Sequence, residues 1–319
     1  MAYNSLISNS DASTFIPVEE TTEIFKEAES NSIVFQLATK LPNLSRKARS
    51  LKVLSALPYV YGVNAPTDTQ GGLKQTTEMS WEGVTLTAEE IAVIVPIDQA
   101  TLDDSTVPIW PEVKPAIGSA IAAWVDAAIL NGDNAFASWP ESVRANAVAA
   151  GNVVALGTGA DIYDDILGDV GLYSKIELDG YAVSGNIAAV GLKARMRGLR
   201  DADGNPIFNR SPQAGMGYEL DGGPCYFPTH GGFPSANTWM LSGDWKRLVY
   251  AFRQDVNYTI HTEGVIQDTE GNIIYNLLQM DMAAMRVTFR FGWALPNPVN
   301  RMQPTKANRS PFGVLTTSI

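Results

Sequence analysis

The chain has 319 residues, 45% hydrophobic and 18% charged, enough material for two subdomains and typical of an ordered protein with a sparsely charged surface. A net charge of −11 argues against a nucleic-acid reader, which needs clustered Lys and Arg to displace phosphate counterions. The single cysteine, Cys225, leaves no internal disulfide; residues 1–14 lack a signal peptide's basic and apolar stretches, and the longest uncharged run, 222–243, is broken by Pro224, Pro228 and Pro234, so a soluble intracellular protein without a membrane span is expected.

Residues 17–41 read as helix. Glu19, Glu20 and Glu23 favour a helix N-terminus, Ile24, Ala28, Ile33 and Leu37 give apolar spacing, and Ser30-Asn31-Ser32 marks a break. The basic cluster Arg46, Lys47, Arg49 and Lys52 reads as an exposed edge or an intersubunit salt-bridge surface, with contact to DNA or an acidic partner as the competing reading. Residues 62–90 form a polar excursion, including Asn64-Ala65-Pro66-Thr67-Asp68-Thr69-Gln70-Gly71-Gly72, too poor in apolar residues to pack a core. It returns through Trp81-Glu82-Gly83-Val84-Thr85-Leu86-Thr87, where Val84 and Leu86 alternate with Thr85 and Thr87 as in a half-buried strand. An excursion of this length needs another surface to lie on, and Trp81 and Leu86 offer apolar area that a lone subunit would leave wet. Assembly, rather than catalysis, follows.

An apolar strand, Ile91-Ala92-Val93-Ile94-Val95-Pro96-Ile97-Asp98, precedes a long helix that stops at Asn131-Gly132. Val113, Ile117, Ile121, Trp124 and Ala128 share one stripe of that helix, with Trp124 as core anchor, whereas Glu112, Ser119 and Asp126 recur on the far side. Pro115 predicts an irregular first turn. Farther on, residues 160–173 are expected to be helical, with Ile162, Ile166, Val170 and Tyr173 inward. Residues 187–199 are also helix-like. Asp203-Gly204 and Glu270-Gly271-Asn272 signal turns, and Cys225, Tyr226 and Phe227 a buried strand. Met285, Val287, Phe289 and Phe291 alternate with Arg286, Thr288 and Arg290, the clearest strand in the chain. After Pro298 the sequence turns polar and basic (Arg301, Lys306, Arg309) and reads as a tail lying on the surface or on a neighbour.

The order of these pieces resembles tailed-bacteriophage major capsid proteins of the Hong Kong 97-type (Johnson) fold. Leu57-Pro58-Tyr59-Val60-Tyr61-Gly62-Val63, the excursion, Trp81 to Leu86, Ile91 to Asp98, Leu102-Asp103-Asp104-Ser105, the helix ending Leu130-Asn131-Gly132, Tyr181-Ala182-Val183-Ser184, Gly243-Asp244-Trp245 and the strand 285–295 carry the likeness. It implies a mixed α+β fold: an N-terminal arm and leading P-domain strand (1–57), an E-loop (58–90), a P-domain with spine helix (91–134), an A-domain (135–265), returning P-domain strands (266–300) and a C-terminal tail (301–319). The implied function is a capsid shell of hexamers and pentamers enclosing double-stranded DNA, assembled in the host bacterial cytoplasm. Lys74, Trp81, Glu82, Leu86, Arg46, Lys47 and Arg49 are the implied assembly residues. Partners implied are further copies, a scaffolding protein (the arm before Pro17 is short), a portal, a decoration protein and non-specifically held DNA. Some relatives cross-link an E-loop lysine to a neighbour's asparagine; Lys74 is the only lysine in the excursion, and no short motif supplies the carboxylate that would take its proton. An encapsulin-type nanocompartment and a stand-alone β-rich binding module are the alternatives.

The residues themselves offer little chemistry. His230 and His261 have no partners at metal-ligand spacing, Asp201-Ala202-Asp203-Gly204-Asn205 lacks the pattern of a calcium loop, and Gly157-Thr158-Gly159 is not a phosphate-binding motif. Asp103-Asp104 and Asp164-Asp165 read as caps or surface acids. No enzyme, cofactor or metal is expected.

Overall fold

A computed structural model describes residues 32–60, 74, 76–104, 109–198, 218–221, 223–233 and 238–317. Its first half contains α1 (Ile33–Leu37), β1 (Thr39–Lys40), β2 (Ala48–Ala56), β3 (Ser80–Thr87), β4 (Glu89–Asp98), α2 (Gln99–Asp104), α3 (Ile109–Leu130), α4 (Val143–Ala150) and β5 (Val153–Ala155). There follow α5 (Ile162–Leu167), α6 (Leu172–Leu178), β6 (Gly185–Ala188), α7 (Val190–Arg197), β7 (Tyr218–Leu220), β8 (Gly223–Tyr226) and β9 (Met240–Gly243). The last elements are β10 (Val249–His261), β11 (Val265–Gln267), β12 (Ile273–Asn276), β13 (Met282–Ala294) and β14 (Phe312–Thr316).

Two sheets organise the molecule. One has the order β1-β10-β13-β4, the other β5-β14-β9-β6-β8-β7; β2-β3 and β11-β12 are separate ribbons. The alternation along β13 puts Met285, Val287, Phe289 and Phe291 into the largest core cluster, with Ile117, Ile121, Val125 and Ile129 of α3. Arg286 and Arg290 face outward, and Arg290 pairs with Glu90 directly across the β13–β4 ladder. Phe35 of α1 stacks on Tyr250 at 4.6 Å and meets Phe291 edge-on at 5.7 Å, closing the core from the other side.

Helix α3 ends as expected, with Gly132 at φ +86° and its N–H donating to Ala128 O at 3.1 Å, a left-handed position glycine occupies without a Cβ clash. By length and composition α3 could cross a membrane, but half of its apolar stretch is buried inside the subunit as a core helix. Its buried arc differs from the expected stripe. Ile117, Ile121 and Ala128 are buried, but so are Ala122, Val125, Asp126, Ile129 and Leu130, so the arc is wider and turned by roughly a quarter turn at 100° per residue. Val113 and Trp124 stand at its edge, half-buried, and Asp126, expected outside, lies inside. The cause is that α3 is covered on two sides, by sheet and by α1. Trp124 rests against Phe136 and Trp139 at 5.9 and 6.0 Å. Trp124→Ala is therefore expected to cost about 2 kcal/mol, below the ~3–5 kcal/mol of a fully buried Trp. Chemical denaturation reads the difference, and a loss of about 4 kcal/mol would contradict the edge position.

Several expectations need correction. Helix 17–41 extends no farther than Leu37; Thr39 and Lys40 instead pair parallel with Val249 and Tyr250, as suits a β-branched residue beside an open strand. Its part before Ser32 lies outside the described residues, as do Asp203-Gly204 and most of the excursion. Residues 160–173 make two helices, because Gly168 and Gly171 interrupt the run, and Val170 is exposed rather than inward. Residues 187–188 finish strand β6 before helix α7 begins. The strand 249–261, assigned to the A-domain, pairs with β13. The largest departure is at the C-terminal end. Residues 312–316 are no surface tail; β14 runs antiparallel to β9 and parallel to β5, with Phe312, Val314 and Leu315 fully buried. A strand buried on both faces has no alternation to betray it.

Candidate assembly surface

The excursion is anchored by a hairpin. β2 and β3 pair antiparallel from Ala48↔Thr87 to Leu54↔Trp81, with a register shift before Ala56↔Ser80. The hairpin thus begins at Ala48, ten positions before the expected boundary at residue 58. Burial along β3 alternates from Ser80 and ends on Leu86, which is fully buried against Leu44, Ala88, Ala251 and Ala294. Its outer end is apolar and wet. Trp81 is 62% exposed, and Met79 just before it and Tyr59 and Val60 just after β2 are exposed as well.

Three polar contacts hold the hairpin to residues 299–306 of the same chain. Val299 N–H donates to Leu54 O at 2.9 Å, Arg301 Nη2 donates to Pro58 O at 2.9 Å, and Lys306 pairs with Glu82.

The seven expected interface residues separate accordingly. Arg46, Lys74 and Trp81 are exposed. Leu86 is corrected: it is a core residue of its own subunit, not open apolar area. Glu82 is engaged by Lys306, Lys47 stands 3.2 Å from Glu89, and Arg49 donates to Pro42 O and Asn43 O. These three charges brace their own chain. Ser138 Oγ donating at 2.7 Å, together with Lys47, holds the Glu89 carboxyl below the usual carboxylate range. Sequence reading missed further exposed apolar residues: Ile260 near the end of β10, Val265 and Ile273 on the β11–β12 ribbon, and Leu278 and Met280 in the turn before β13.

The residues weighed for chemistry are structural in their geometry. Asp165 is buried, not a surface acid, and accepts from Gly157 N–H at 2.7 Å and Gly159 N–H at 2.6 Å, so an internal carboxylate fills the glycine loop. Asp161 caps α5. Among the described residues no group of three or more His, Cys, Asp or Glu could hold a metal. Burial pushes the Cys225 thiol up to about 12. Only the thiolate reacts, so iodoacetamide is expected to leave Cys225 unlabelled in the native protein and to alkylate it after denaturation. Mass spectrometry reads both; rapid native labelling would contradict its buried place in β8.

The Phage capsid family model matches residues 12–300. A curated relative, the major capsid protein of Staphylococcus phage 80alpha, is 25% identical over 278 residues, 85% of this chain and 78% of the relative. A solved chain from Microbacterium phage Oxtober96 is 31% identical with a TM-score of 0.77, covering 99% of this chain and 96% of that one. One from Mycobacterium phage Cain is 28% identical with a TM-score of 0.77, covering 98% and 99%. The fold is the mixed α+β Hong Kong 97-type, and the nanocompartment alternative is not favoured. With two sheets bridged by a core helix, a hairpin ending in open apolar residues and a family match over most of its length, the chain belongs to the phage capsid family, structural proteins that self-assemble into the virion shell.

Proposed function

We propose that copies of this chain tile an icosahedral shell as hexamers and pentamers around double-stranded DNA, and that hairpin 48–87 is the clasp between neighbours. The observation that carries the reading is the hairpin itself. Among the described residues β2 and β3 pair only with each other, while Trp81 is left 62% exposed. Each clasp adds a modest interface, and closed symmetry multiplies it over the shell. A net charge of −11 suits a wall that lets DNA pack without adhering to it. A separate scaffolding protein and a portal complete the assembly, which takes place in the host bacterial cytoplasm.

Replacing residues 65–79 by a Gly-Ser bridge tests the clasp. The variant is expected to fold and to fail to close shells, as seen by negative-stain microscopy. Closed particles of normal stability would remove the clasp role, and a chain that does not fold would make the excursion part of its own core. A subunit that stays monomeric in light scattering would instead support a stand-alone β-rich binding module. Lys74 is exposed, but a cross-link also needs a carboxylate base and a placed asparagine. Mature particles are expected to run as single chains on denaturing gels; a covalent ladder lost in Lys74→Ala would overturn this.

A further inference from the structure

The carboxylate of Asp126, about one turn before the C-terminal end of α3 and 1% exposed, is approached by two segments distant in sequence. From one side Ser32 Oγ donates to Oδ1 at 2.6 Å, Ile33 N–H to Oδ2 at 3.1 Å and Val34 N–H to Oδ1 at 3.3 Å. The same Ser32 Oγ accepts from Phe35 N–H at 3.3 Å, so the first turn of α1 is closed through Asp126. From the other side His230 Nε2 stands 3.0 Å from Oδ2. His230 Nδ1 accepts from Gly232 N–H at 3.1 Å, which puts the proton of the neutral ring on Nε2, facing the carboxylate. The N–H is not aligned on the oxygen, so the contact is an electrostatic attraction rather than a formed hydrogen bond. The loop is pressed onto α3: a Cβ at Gly232 would stand 2.5 Å from Ala123 O.

A buried carboxylate is costly unless its oxygens are surrounded by donors. If the α1 turn leaves, Asp126 loses three donors; if the 227–233 loop leaves, it loses the imidazole and gains a path to water. Each segment therefore makes the seating of the other more favourable, which is a coupling free energy between two segments distant in sequence that share one carboxylate. Ser32 is the point where residues 1–31 join the described body. We propose that Asp126 is a positioning residue for assembly, a latch that seats the α1 turn firmly only when the 227–233 loop is seated on α3. This rests on the shell-forming reading for its consequence, not for the coupling itself.

Amide hydrogen exchange on the full-length subunit tests it, with His230→Ala and Ser32→Ala as reciprocal variants. His230→Ala is expected to speed exchange at Ile33, Val34 and Phe35 by roughly fivefold or more, and Ser32→Ala to do the same at residues 230–233. Asp126→Asn is expected to loosen both. Should Asp126→Asn fail to fold, the other two variants still decide the matter. If each loosens only its own segment, the latch is wrong. Particle yield is measured in parallel by sedimentation. Coupled exchange with unchanged particle yield in all variants would remove the role in assembly, whereas a wild-type chain that forms no shells would count against the proposed function and leave the exchange result standing.

Discussion

Ending the chain at Pro311 is expected to unfold the six-stranded half of the subunit. Strand β14 fills a position inside that sheet, pairing with β5 on one edge and β9 on the other. Phe312, Val314 and Leu315 are fully buried, and the Phe312 ring stands 4.9 Å from Trp245. Phe312→Ala alone is expected to cost about 3–5 kcal/mol, against a stability of roughly 5–15 kcal/mol for a whole domain. Losing five strand residues also strips ladder partners from β5 and β9, leaving two buried edges unsatisfied. Soluble yield and limited proteolysis report the outcome, with Phe312→Ala as the milder case suited to thermal melting. A truncated chain that melted like the full one would mean that β14 is dispensable, contrary to its place in the sheet.

Trp81→Ala is expected to do the reverse, sparing the fold and disabling the shell. With 62% of the residue exposed, its loss should change subunit stability by less than about 0.5 kcal/mol. A large aromatic filling a neighbour's pocket is worth about 2 kcal/mol or more, and that deficit recurs at every equivalent contact of a symmetric shell. Particles should become rare in sedimentation velocity and negative-stain images while the melting temperature stays put. Leu86→Ala is the companion variant, since the side chain is fully buried only five positions along the same strand and should lower stability by about 2–5 kcal/mol. If Trp81→Ala assembles normally, the exposed ring has no neighbour and the clasp must lie elsewhere on the hairpin.

What could be read in the sequence was whatever repeats with a clean period. Strand β13 showed itself because its two faces differ, and α3 because a long apolar run ended at Asn131-Gly132. The return strand of the hairpin was visible for the same reason as β13. What could not be read were elements whose environment comes from distant segments. β14 is apolar on both faces and follows a basic stretch, so it resembled nothing with a period. Asp126 is an acid on the expected polar side of a helix, and only the arrival of Ser32, from 94 positions away, turns that side inward. The charges at the start of the hairpin stand out as a cluster, but Glu89, the partner of Lys47, lies on β4, and Lys306, the partner of Glu82, lies near the end of the chain, so nothing local marks them as braces within one chain.

The three contacts between the hairpin and residues 299–306 join parts of the chain made at very different times. Lys306 reaches back 224 positions to Glu82, and Arg301 reaches back 243 to Pro58. Strand β14 likewise closes on β5 across 162 positions. Such distant pairings form slowly and only after both ends exist. During synthesis the outer end of the hairpin therefore lacks these three contacts until residue 306 has left the ribosome, and the six-stranded sheet stays open until residue 316 follows. An unfinished chain thus presents a hairpin anchored at its Leu86 end alone, and the brace at its outer end is among the last contacts the subunit can make.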